Sequence, residues 1–429
     1  MSAFEILQVL QTEVGPRRAG TPGEDRAQAW LKARCEGWGL PVELDEFKFI
    51  GSTAYRSFVS LLTLGLIATG VILMTADQFL LGLIPFGVLF IYFNFINRKI
   101  ELRLANTPSH NVIAGLRRPI SDYMAEPQKG PAILICAHYD TPHNLAAWLT
   151  PLRELLRFFG PLGFLSLILL AVSWILQLLC LLLDSVACRE LSGDLSSILG
   201  NITLILNAPY FAYLLAGSLT GLLAKKTDAP GADDNGSGTA LVLELARRLQ
   251  ANPPANTEIF FAFWGAEERG LFGSRQFIRK FGAQLDREKL QIINADCVGV
   301  GQTLTVHTGQ GTWTRHRTDP CSVARIERLA VQFNIPTVRS WESIISGGSS
   351  DHAAWIDRGF NQVISLLREN LRPPNWPIRL LAAVLRIPDA NMLELKHIHT
   401  PADTLAVIDP QVLGTTVDLA EAYVREIAG

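Results

Sequence analysis

Two long apolar blocks constrain the fold of this 429-residue chain more than any other feature of its sequence. The first runs from about residue 58 to 96 and breaks at Ala76-Asp77-Gln78, and the second runs from about residue 158 to 223 and breaks between Asp184 and Asp194. A helix needs about 20 apolar residues to cross a hydrocarbon core about 30 Å thick. Each half-block is close to that length, so the sequence predicts four transmembrane helices in two hairpins.

The composition agrees with segments that lie in lipid. Apolar residues make up 48% of the chain and charged residues 18%, against roughly a quarter charged in an average soluble domain. The alternative is a pair of buried hairpins in a large soluble protein, but the stretch from Phe164 to Leu183 carries no charge, which a soluble core helix rarely needs. The polar residues of the spans are amides such as Asn94, Gln177, Asn201 and Asn207. Transport pathways usually need ionisable groups, so a transporter is disfavoured.

The basic residues near the apolar blocks predict an orientation. A hairpin leaves the membrane on the side that it entered, so both termini and the middle of the chain share one face. That face carries Arg56, Arg98, Lys99, Arg103, Arg153, Arg157, Lys225 and Lys226, whereas the hairpin tips carry only Arg189. The positive-inside rule predicts an integral protein of a cell inner membrane with both termini and the non-membrane part in the cytoplasm. The first residues show no cleavable signal peptide.

Charge and cysteine usage exclude further classes. The net charge of −2 provides no basic field for nucleic acid, so no nucleic-acid partner is expected. The six cysteines are scattered and form no C-x-x-C pair, which predicts reduced thiols rather than a disulfide framework. The sequence does not indicate an oligomer and leaves one open.

The remainder of the chain alternates predicted strands and helices. The predicted strands are Asn111 to Leu116, Ala132 to Ala137, Glu258 to Phe263, Gln291 to Ala295 and Val363 to Leu367. Thr239 to Gln250 repeats apolar positions at helical spacing between Gly238 and Asn252-Pro253-Pro254, which predicts a helix. The predicted fold class is therefore α/β, with a mixed, mainly parallel sheet flanked by helices. Ligands of such sheets gather at the carboxyl ends of the strands.

Residues of the types that bind metal ions follow these predicted strands one after another along the chain. They are His138 and Asp140, Asp233 and Asp234 in a glycine-rich turn, Glu267 and Glu268, Asp296, and His399 near the C-terminus. Imidazoles and carboxylates are zinc ligands, and a second carboxylate can take a proton from a metal-bound water. A carboxylate two residues after a histidine can orient its ring. Each motif alone is more often structural or a surface loop, but their order predicts one metal centre.

The series HYD, GADDNGSG, WGAEERGLFGS, NAD, SSDHAAW and HIHTPADTL resembles the family-28 metallopeptidases, which include bacterial leucyl aminopeptidases, glutamate carboxypeptidases and glutaminyl cyclases. The segment from Gly15 to Glu24 is also similar to the start of their catalytic domain. The resemblance spans nearly the whole chain except the apolar hairpins, which are insertions. It implies the zinc aminopeptidase fold with two inserted transmembrane hairpins.

The resemblance also implies roles for individual residues. One zinc ion would be held by His138, Asp234 and Asp296, and a second by Asp234, Glu268 and His399, so that Asp234 bridges two Zn²⁺ ions per chain. Glu267 would be the general base and acid, and Asp140 would orient His138. All of these positions carry competent residues, which argues against a non-catalytic relative.

Other polar residues have less definite expectations. Asp351 and His352 match a recurring element near the pocket and are predicted either to touch the ligands or substrate or to be purely structural. His143, His307, His316 and His397 are predicted to be solvated or structural rather than ligands.

The function expected from the resemblance is a membrane-anchored zinc exopeptidase, foremost an aminopeptidase, with a peptide substrate and the lipid bilayer as partners. Alternatives on the same fold are a carboxypeptidase, an N-acyl amino acid amidohydrolase and a glutaminyl cyclase-like enzyme. A non-catalytic membrane scaffold is the alternative from another class.

The expected domain boundaries follow the apolar blocks. The catalytic domain comprises residues 1–55, 99–150 and 227–429, and the hairpins comprise 56–98 and 151–226. Because the second hairpin joins two metal-ligand loops, the site is expected near the membrane surface. Residues 371–388, with Arg372, Arg379 and Arg386 spaced seven apart, are predicted to form either an interfacial helix or a core-facing surface helix.

Overall fold

The computed structural model describes residues 1–75, 78–92, 96–126, 130–144, 150–182, 186–223, 227–343, 349–368, 371–372, 374–389, 392–393 and 397–429. Ala76, Asp77, Asn94, Leu183, Asp184, Lys225 and Lys226, which enter the predictions above, lie outside these residues. The side chains of Arg56, Arg98, Arg153 and Arg189 lie outside the description as well.

The central element is a mixed sheet to which nine strands of the described chain belong. The strands are β1 (Val42–Phe49), β2 (Thr107–Gly115), β3 (Ala132–His138), β4 (Glu258–Trp264), β5 (Leu290–Ala295), β6 (Leu304–Gln310), β7 (His316–Arg317), β8 (Thr337–Glu342) and β9 (Val363–Arg368). Their order is β1-β2-β4-β3-β5-β9-β6-β7, with β8 also paired to β6. Strands β4, β3, β5 and β9 run parallel to one another. The prediction of a mixed, mainly parallel sheet is confirmed.

The helices surround this sheet and extend from it. They are α1 (Ala3–Val9), α2 (Pro22–Gly37), α3 (Thr53–Thr75), α4 (Phe79–Ile91), α5 (Asn97–Leu104), α6 (Ile120–Ala125), α7 (Thr150–Leu182), α8 (Val186–Leu223), α9 (Gly238–Ala251), α10 (Phe272–Phe281), α11 (Pro320–Gln332), α12 (His352–Ile356), α13 (Trp376–Leu385) and α14 (Pro410–Ala428). Two short strands, β10 (Leu371–Arg372) and β11 (Met392–Leu393), pair with each other.

The parallel strands are buried on both faces, which explains their continuous apolar sequences. Successive side chains of a strand point to opposite faces, and β3 shows this directly. Ile133 and Ile135 join a core with α1, α2, α9, α11 and α14, whereas Leu134 and Cys136 join a core with α6, α10 and α12. The sheet therefore separates two helical layers, and its rigid centre positions the loops that follow β3, β4 and β5.

The number of predicted membrane spans requires correction. Within the described residues, the two stretches long and apolar enough to cross a membrane are Leu155–Cys180 in α7 and Glu190–Leu219 in α8. The apolar parts of α3 and α4, Ser57–Leu73 and Leu81–Ile91, fall in the range of 10–17 residues. The prediction of four spans is therefore wrong for the described residues, because the apolar parts of α3 and α4 are shorter than the roughly 20 apolar residues of a full crossing.

Polar contacts connect the two long helices. Ser173 Oγ lies 3.0 Å from Ser196 Oγ, and Asn207 Nδ2 donates to the carbonyl oxygen of Gly163 over 3.3 Å. A Cβ atom on Gly163 would lie 2.5 Å from Asn207 Oδ1, so the glycine permits this close approach. Small residues and amides at helix contacts are typical of membrane helix packing. The shorter helix α3 packs against α4 and α8.

The cysteines depart from the expectation in one place. Cys180, near the end of α7, is disulfide-bonded, so the prediction of reduced thiols is wrong for it. Cys35, Cys136 and Cys297 are buried and form no disulfide, and Cys321 is a free thiol exposed on the surface.

Candidate metal centre

The sheet brings the predicted metal-ligand loops together at one edge. His138 is the last residue of β3 and pairs in register with Trp264, the last residue of β4. Glu267 and Glu268 therefore follow β4 beside His138, and Asp296 follows β5 on its other side. The glycine-rich turn that carries Asp234 leads into α9, which packs against β3. Residues far apart in sequence thus converge because their strands are parallel neighbours.

Two donor groups share Asp234. In the first, His138 Nε2 lies 3.4 Å from Asp234 Oδ1 and 3.5 Å from Asp296 Oδ1. In the second, His399 Nε2 lies 3.2 Å from Asp234 Oδ2 and 3.6 Å from Glu268 Oε1. Two ligand atoms about 2.1 Å from a tetrahedral ion are about 3.4 Å apart, which is the spacing found here. The two oxygens of Asp234 face different groups, so the geometry fits a carboxylate that bridges two ions.

The charge of the site also fits bound cations. Burial and the neighbouring charge of Asp234 raise the pKa of Glu268 well above its usual range. Burial alone would lower the pKa of the His138 imidazole, but Glu267 and Asp296 outweigh burial and raise it well above its ordinary value. The site contains more carboxylates than its two imidazoles can neutralise. Buried charges need partners or metal ions. Histidine nitrogen and carboxylate oxygen are among the donors that bind Zn²⁺ in proteins.

Asp140 contacts His138 and the backbone of Glu267 and Glu268. One carboxylate oxygen accepts the backbone N–H of Glu267 over 3.0 Å, and the other accepts that of Glu268 over 3.3 Å. Oδ1 also lies 3.5 Å from His138 Nδ1, and the Asp140 carbonyl oxygen lies 3.2 Å from the same ring nitrogen. Asp140 is therefore placed to orient the His138 ring and to hold the Glu267-Glu268 turn; its role in the site remains a prediction.

Glu267 lies next to the two donor groups that share Asp234 but belongs to neither of them. Its Oε2 is 3.9 Å from His138 Nε2, and the residue is 8% exposed. Burial, with the nearby charges of Glu268 and Asp351, raises its pKa well above the usual range. A carboxyl group with a raised pKa beside a metal centre suits proton transfer near neutral pH.

The side chains of the adjacent residues Asp351 and His352 have different surroundings. Asp351 is buried and accepts a hydrogen bond from Ser274, and burial raises its pKa to about 7. It belongs to neither donor group around Asp234, although its charge acts on Glu267. His352 faces Glu342 at 2.7 Å and belongs to a different cluster.

Several supporting residues were not identified from the sequence. Asp403 accepts hydrogen bonds from the backbone N–H groups of Asp233 and Asp234 over 2.7 and 3.2 Å. It therefore holds the glycine-rich turn that carries Asp234. Asp233 lies 2.9 Å from His397 Nε2, which gives that histidine the structural role predicted for it. Asp403 stands four residues after His399 in HTPAD, a motif that was noted without a role for this carboxylate.

Arg17 is a second residue whose role the sequence did not indicate. It is fully buried and donates through Nε to the Tyr139 carbonyl oxygen over 2.6 Å and through a terminal nitrogen to the Gly231 carbonyl oxygen over 2.7 Å. It thereby connects the loop after β3 to the glycine-rich turn that carries Asp234. Its position in the GPRR sequence was the only local sign of such a role.

Solved structures share this fold. The chain is similar to BSAP, a zinc aminopeptidase from Bacillus subtilis, with a TM-score of 0.51 at 17% identity over 99% of this chain and 94% of that one. It is also similar to Porphyromonas gingivalis glutaminyl cyclase, with a TM-score of 0.52 at 15% identity over 99% and 97% of the two chains. At such identities the likeness concerns the fold alone. The class that it defines is the zinc aminopeptidase fold.

Sequence comparison gives a family match. Residues 218–424, just under half of the chain, match the model of Peptidase family M28. The matched stretch includes seven of the predicted site residues, namely Asp234, Glu267, Glu268, Asp296, Asp351, His352 and His399.

Curated relatives match over parts of their length. Aminopeptidase YwaD of Bacillus subtilis is 30% identical over 207 residues, which cover 46% of this chain and 38% of that protein. The probable lipoprotein aminopeptidase LpqL of Mycobacterium tuberculosis is 53% identical over 51 residues, which cover 12% and 10%. The chain thus spans less than half the length of these relatives.

Proposed function

We propose that this protein is a membrane-anchored, dinuclear zinc exopeptidase that removes N-terminal residues from peptides. The observation that carries the proposal is the pair of donor groups that share Asp234, with Glu267 buried beside them. The family match and the aminopeptidases among the relatives support the same chemistry. His138 and Asp296 would hold one ion with Asp234, and Glu268 and His399 would hold the other.

The protein's own groups divide the catalytic work. When bound, the zinc ions supply the Lewis acidity that activates water and polarises the scissile carbonyl. Glu267 accepts a proton from the attacking water at a carboxylate oxygen and delivers it to the leaving amine nitrogen. Asp140 keeps the His138 ring and the backbone of Glu267 in place through the hydrogen bonds described above.

Aminopeptidase activity is tested with paired peptides. The full-length protein in detergent should cleave aminoacyl reporter amides and free peptides from the amino end, and a zinc chelator should abolish the cleavage. The same peptides with acylated amino groups should be resistant. Cleavage of the blocked peptides alone would instead indicate an N-acyl amino acid amidohydrolase. Cyclisation of N-terminal glutamine would indicate a glutaminyl cyclase-like enzyme.

The proposed anchor is the hairpin of α7 and α8. Large apolar side chains along these helices are exposed, among them Ile175 at 59% and Ile205 at 71%, whereas the core helix of a soluble protein would bury them. Disulfides persist in oxidising compartments, so the bonded Cys180 near the end of α7 supports a hairpin tip on the non-cytoplasmic side. With the predicted charge bias, the catalytic domain would then face the cytoplasm.

Helix α13 supports a site at the level of the lipid headgroups. Phe158 of α7 contacts Trp376 edge to face at 6.0 Å, and Asn375 Nδ2 donates to the Arg157 carbonyl oxygen over 3.0 Å. One side of the helix is buried, whereas Trp376, Leu380 and Val384 remain 46–52% exposed at a spacing of four residues. This apolar stripe continues the surface of α7, as an interfacial helix requires.

The extent of the helix differs from the predicted segment 371–388. Arg372 lies in strand β10 and Arg386 follows the end of α13, so the three arginines do not share one helical face.

The position of α13 suggests a preference for apolar peptides or for peptides released from membrane proteins. Lipid-reconstituted protein should cleave reporter amides with apolar N-terminal residues faster than those with polar ones. Equal rates on both sets, in lipid and in detergent, would contradict the preference.

A further inference from the structure

A second group of metal-ligand side chains lies apart from the dinuclear centre. His307 is on β6, Glu342 is the last residue of β8, and His352 is the first residue of α12. Strands β6 and β8 are parallel neighbours in which His307 pairs with Ser340, so Glu342 stands two residues further along the strand next to His307. One potential ligand atom from each of the three residues lies within 4.8 Å of the other two. None of the three belongs to the donor groups around Asp234.

The contacts within this cluster are short and specific. His352 Nε2 lies 2.7 Å from Glu342 Oε2. The rings of His307 and His352 stack with centroids 4.6 Å apart and an interplanar angle of 29°. The three side chains therefore converge on one point from three different elements.

Burial leaves part of this cluster without hydrogen-bond partners. His352 is 2% exposed, and His307 and Glu342 are each 8% exposed. The Nδ1 atoms of both histidines are buried and have no hydrogen-bond partner among the described residues. Buried polar groups are nearly always paired, so two incompletely paired imidazoles beside a carboxylate indicate a ligand.

The donor types suit a cation. Metal ions bind neutral imidazoles and ionised carboxylates, and the cluster offers two imidazoles and one carboxylate.

We propose that His307, Glu342 and His352 bind a further divalent cation, Zn²⁺ by the chemistry of the donors. The ion ties β6 and β8 to the start of α12. Because Asp351 immediately precedes His352, the same ion fixes the backbone next to the carboxylate whose charge acts on Glu267. The site is structural, and it does not depend on the reaction that the dinuclear centre catalyses.

The test counts zinc ions per chain in the full-length protein. Protein stripped with a chelator is reloaded with Zn²⁺, freed of excess metal by gel filtration and analysed by inductively coupled plasma mass spectrometry. The expected contents are three ions for the wild type, two for His307→Ala and two for Glu342→Gln. His316→Ala removes a histidine on β7 outside the cluster and should retain three.

Two further variants keep the result interpretable. Asp234→Ala removes the shared ligand of the dinuclear centre and should retain one ion, independently of any peptidase activity. Glu342→Gln preserves the side-chain volume, so it serves if His307→Ala fails to fold, with circular dichroism as the folding control. Two ions in the wild type and in Glu342→Gln, or none in Asp234→Ala, would overturn the proposal.

Discussion

Ile205 in α8 and Val331 in α11 are apolar side chains that the fold leaves almost equally exposed, at 71% and 72%. Their surroundings differ. Val331 stands alone, because its helix directs Val323, Ile326 and Leu329 into the core. Ile205 is part of a continuous apolar surface that also includes Ile198 and Leu215. Single exposed apolar residues are ordinary, but large contiguous patches mark a partner. The surface of α8 therefore fits the proposed membrane anchor, whereas that of α11 fits a helix exposed to water.

The largest expected effect concerns the side of the membrane on which the α11 region lies. Cys321, at the start of α11, is a free exposed thiol, whereas Cys35, Cys136 and Cys297 are buried. A membrane-impermeant maleimide should label Cys321 in inside-out vesicles and leave it unlabelled in intact cells, because the catalytic domain is proposed to be cytoplasmic. Cys321→Ser serves as the control for specific labelling. Labelling in intact cells would reverse the proposed orientation.

A second prediction concerns the sheet, where apolar residues are fully buried. Phe261 on β4 is 0% exposed, and Phe261→Ala should lower the free energy of unfolding by about 3–5 kcal/mol through lost burial and a cavity. Thermal unfolding in detergent measures the change. Val331→Ala should shift the stability by less than about 0.5 kcal/mol. Similar effects for the two variants would contradict the assigned core.

The third prediction distinguishes the two exposed residues directly. Ile205 lies near the middle of the Glu190–Leu219 stretch, and an aspartate at the centre of a membrane helix costs about 2.5–3.5 kcal/mol. Ile205→Asp should therefore reduce the fraction of protein that resists alkaline carbonate extraction from membranes. Val331→Asp should integrate like the wild type, because its side chain is exposed to water. Normal integration of both variants would show that α8 does not lie in lipid.

The smallest expected effect concerns two exposed tryptophans. Trp376 on α13 is 52% exposed and Trp313 is 74% exposed. Brominated lipids should quench part of the fluorescence of reconstituted wild-type protein, and Trp376→Phe should reduce the quenched fraction. Trp313→Phe should leave that fraction unchanged. An unchanged fraction in Trp376→Phe would place α13 in water.

The sequence predicted the sheet well because its signals are local. Ala132 to Ala137 and Glu258 to Phe263 are continuous apolar runs, and a strand buried on both faces needs such a run. The order of His138, Asp234, Glu268 and Asp296 predicted their convergence because each lies at the end of a strand or before a helix at the same edge, and His399 joins them from a loop near the C-terminus. Their assignment as ligands remains a prediction from the resemblance.

Features that depend on long-range packing were not predictable. Arg17 and Asp403 act through backbone contacts to turns more than 100 residues away in sequence, and no local pattern encodes such a partner. His307 and Glu342 meet because β8 pairs with β6, a pairing that apolar periodicity does not specify. The number of spans was wrong because apolar composition does not fix where a helix begins and ends.

The most direct test of the proposed chemistry compares Glu267→Gln with the wild type in zinc content and in hydrolysis of aminoacyl reporter amides. The variant should keep the zinc content of the wild type, because Glu267 is not among the proposed ligands, and lose about 10²–10⁴-fold in kcat, as expected for a missing general base. Glu36→Gln, a change at an exposed residue of α2, should behave like the wild type. Unchanged kcat in a fully metallated Glu267→Gln protein would contradict the proposed mechanism.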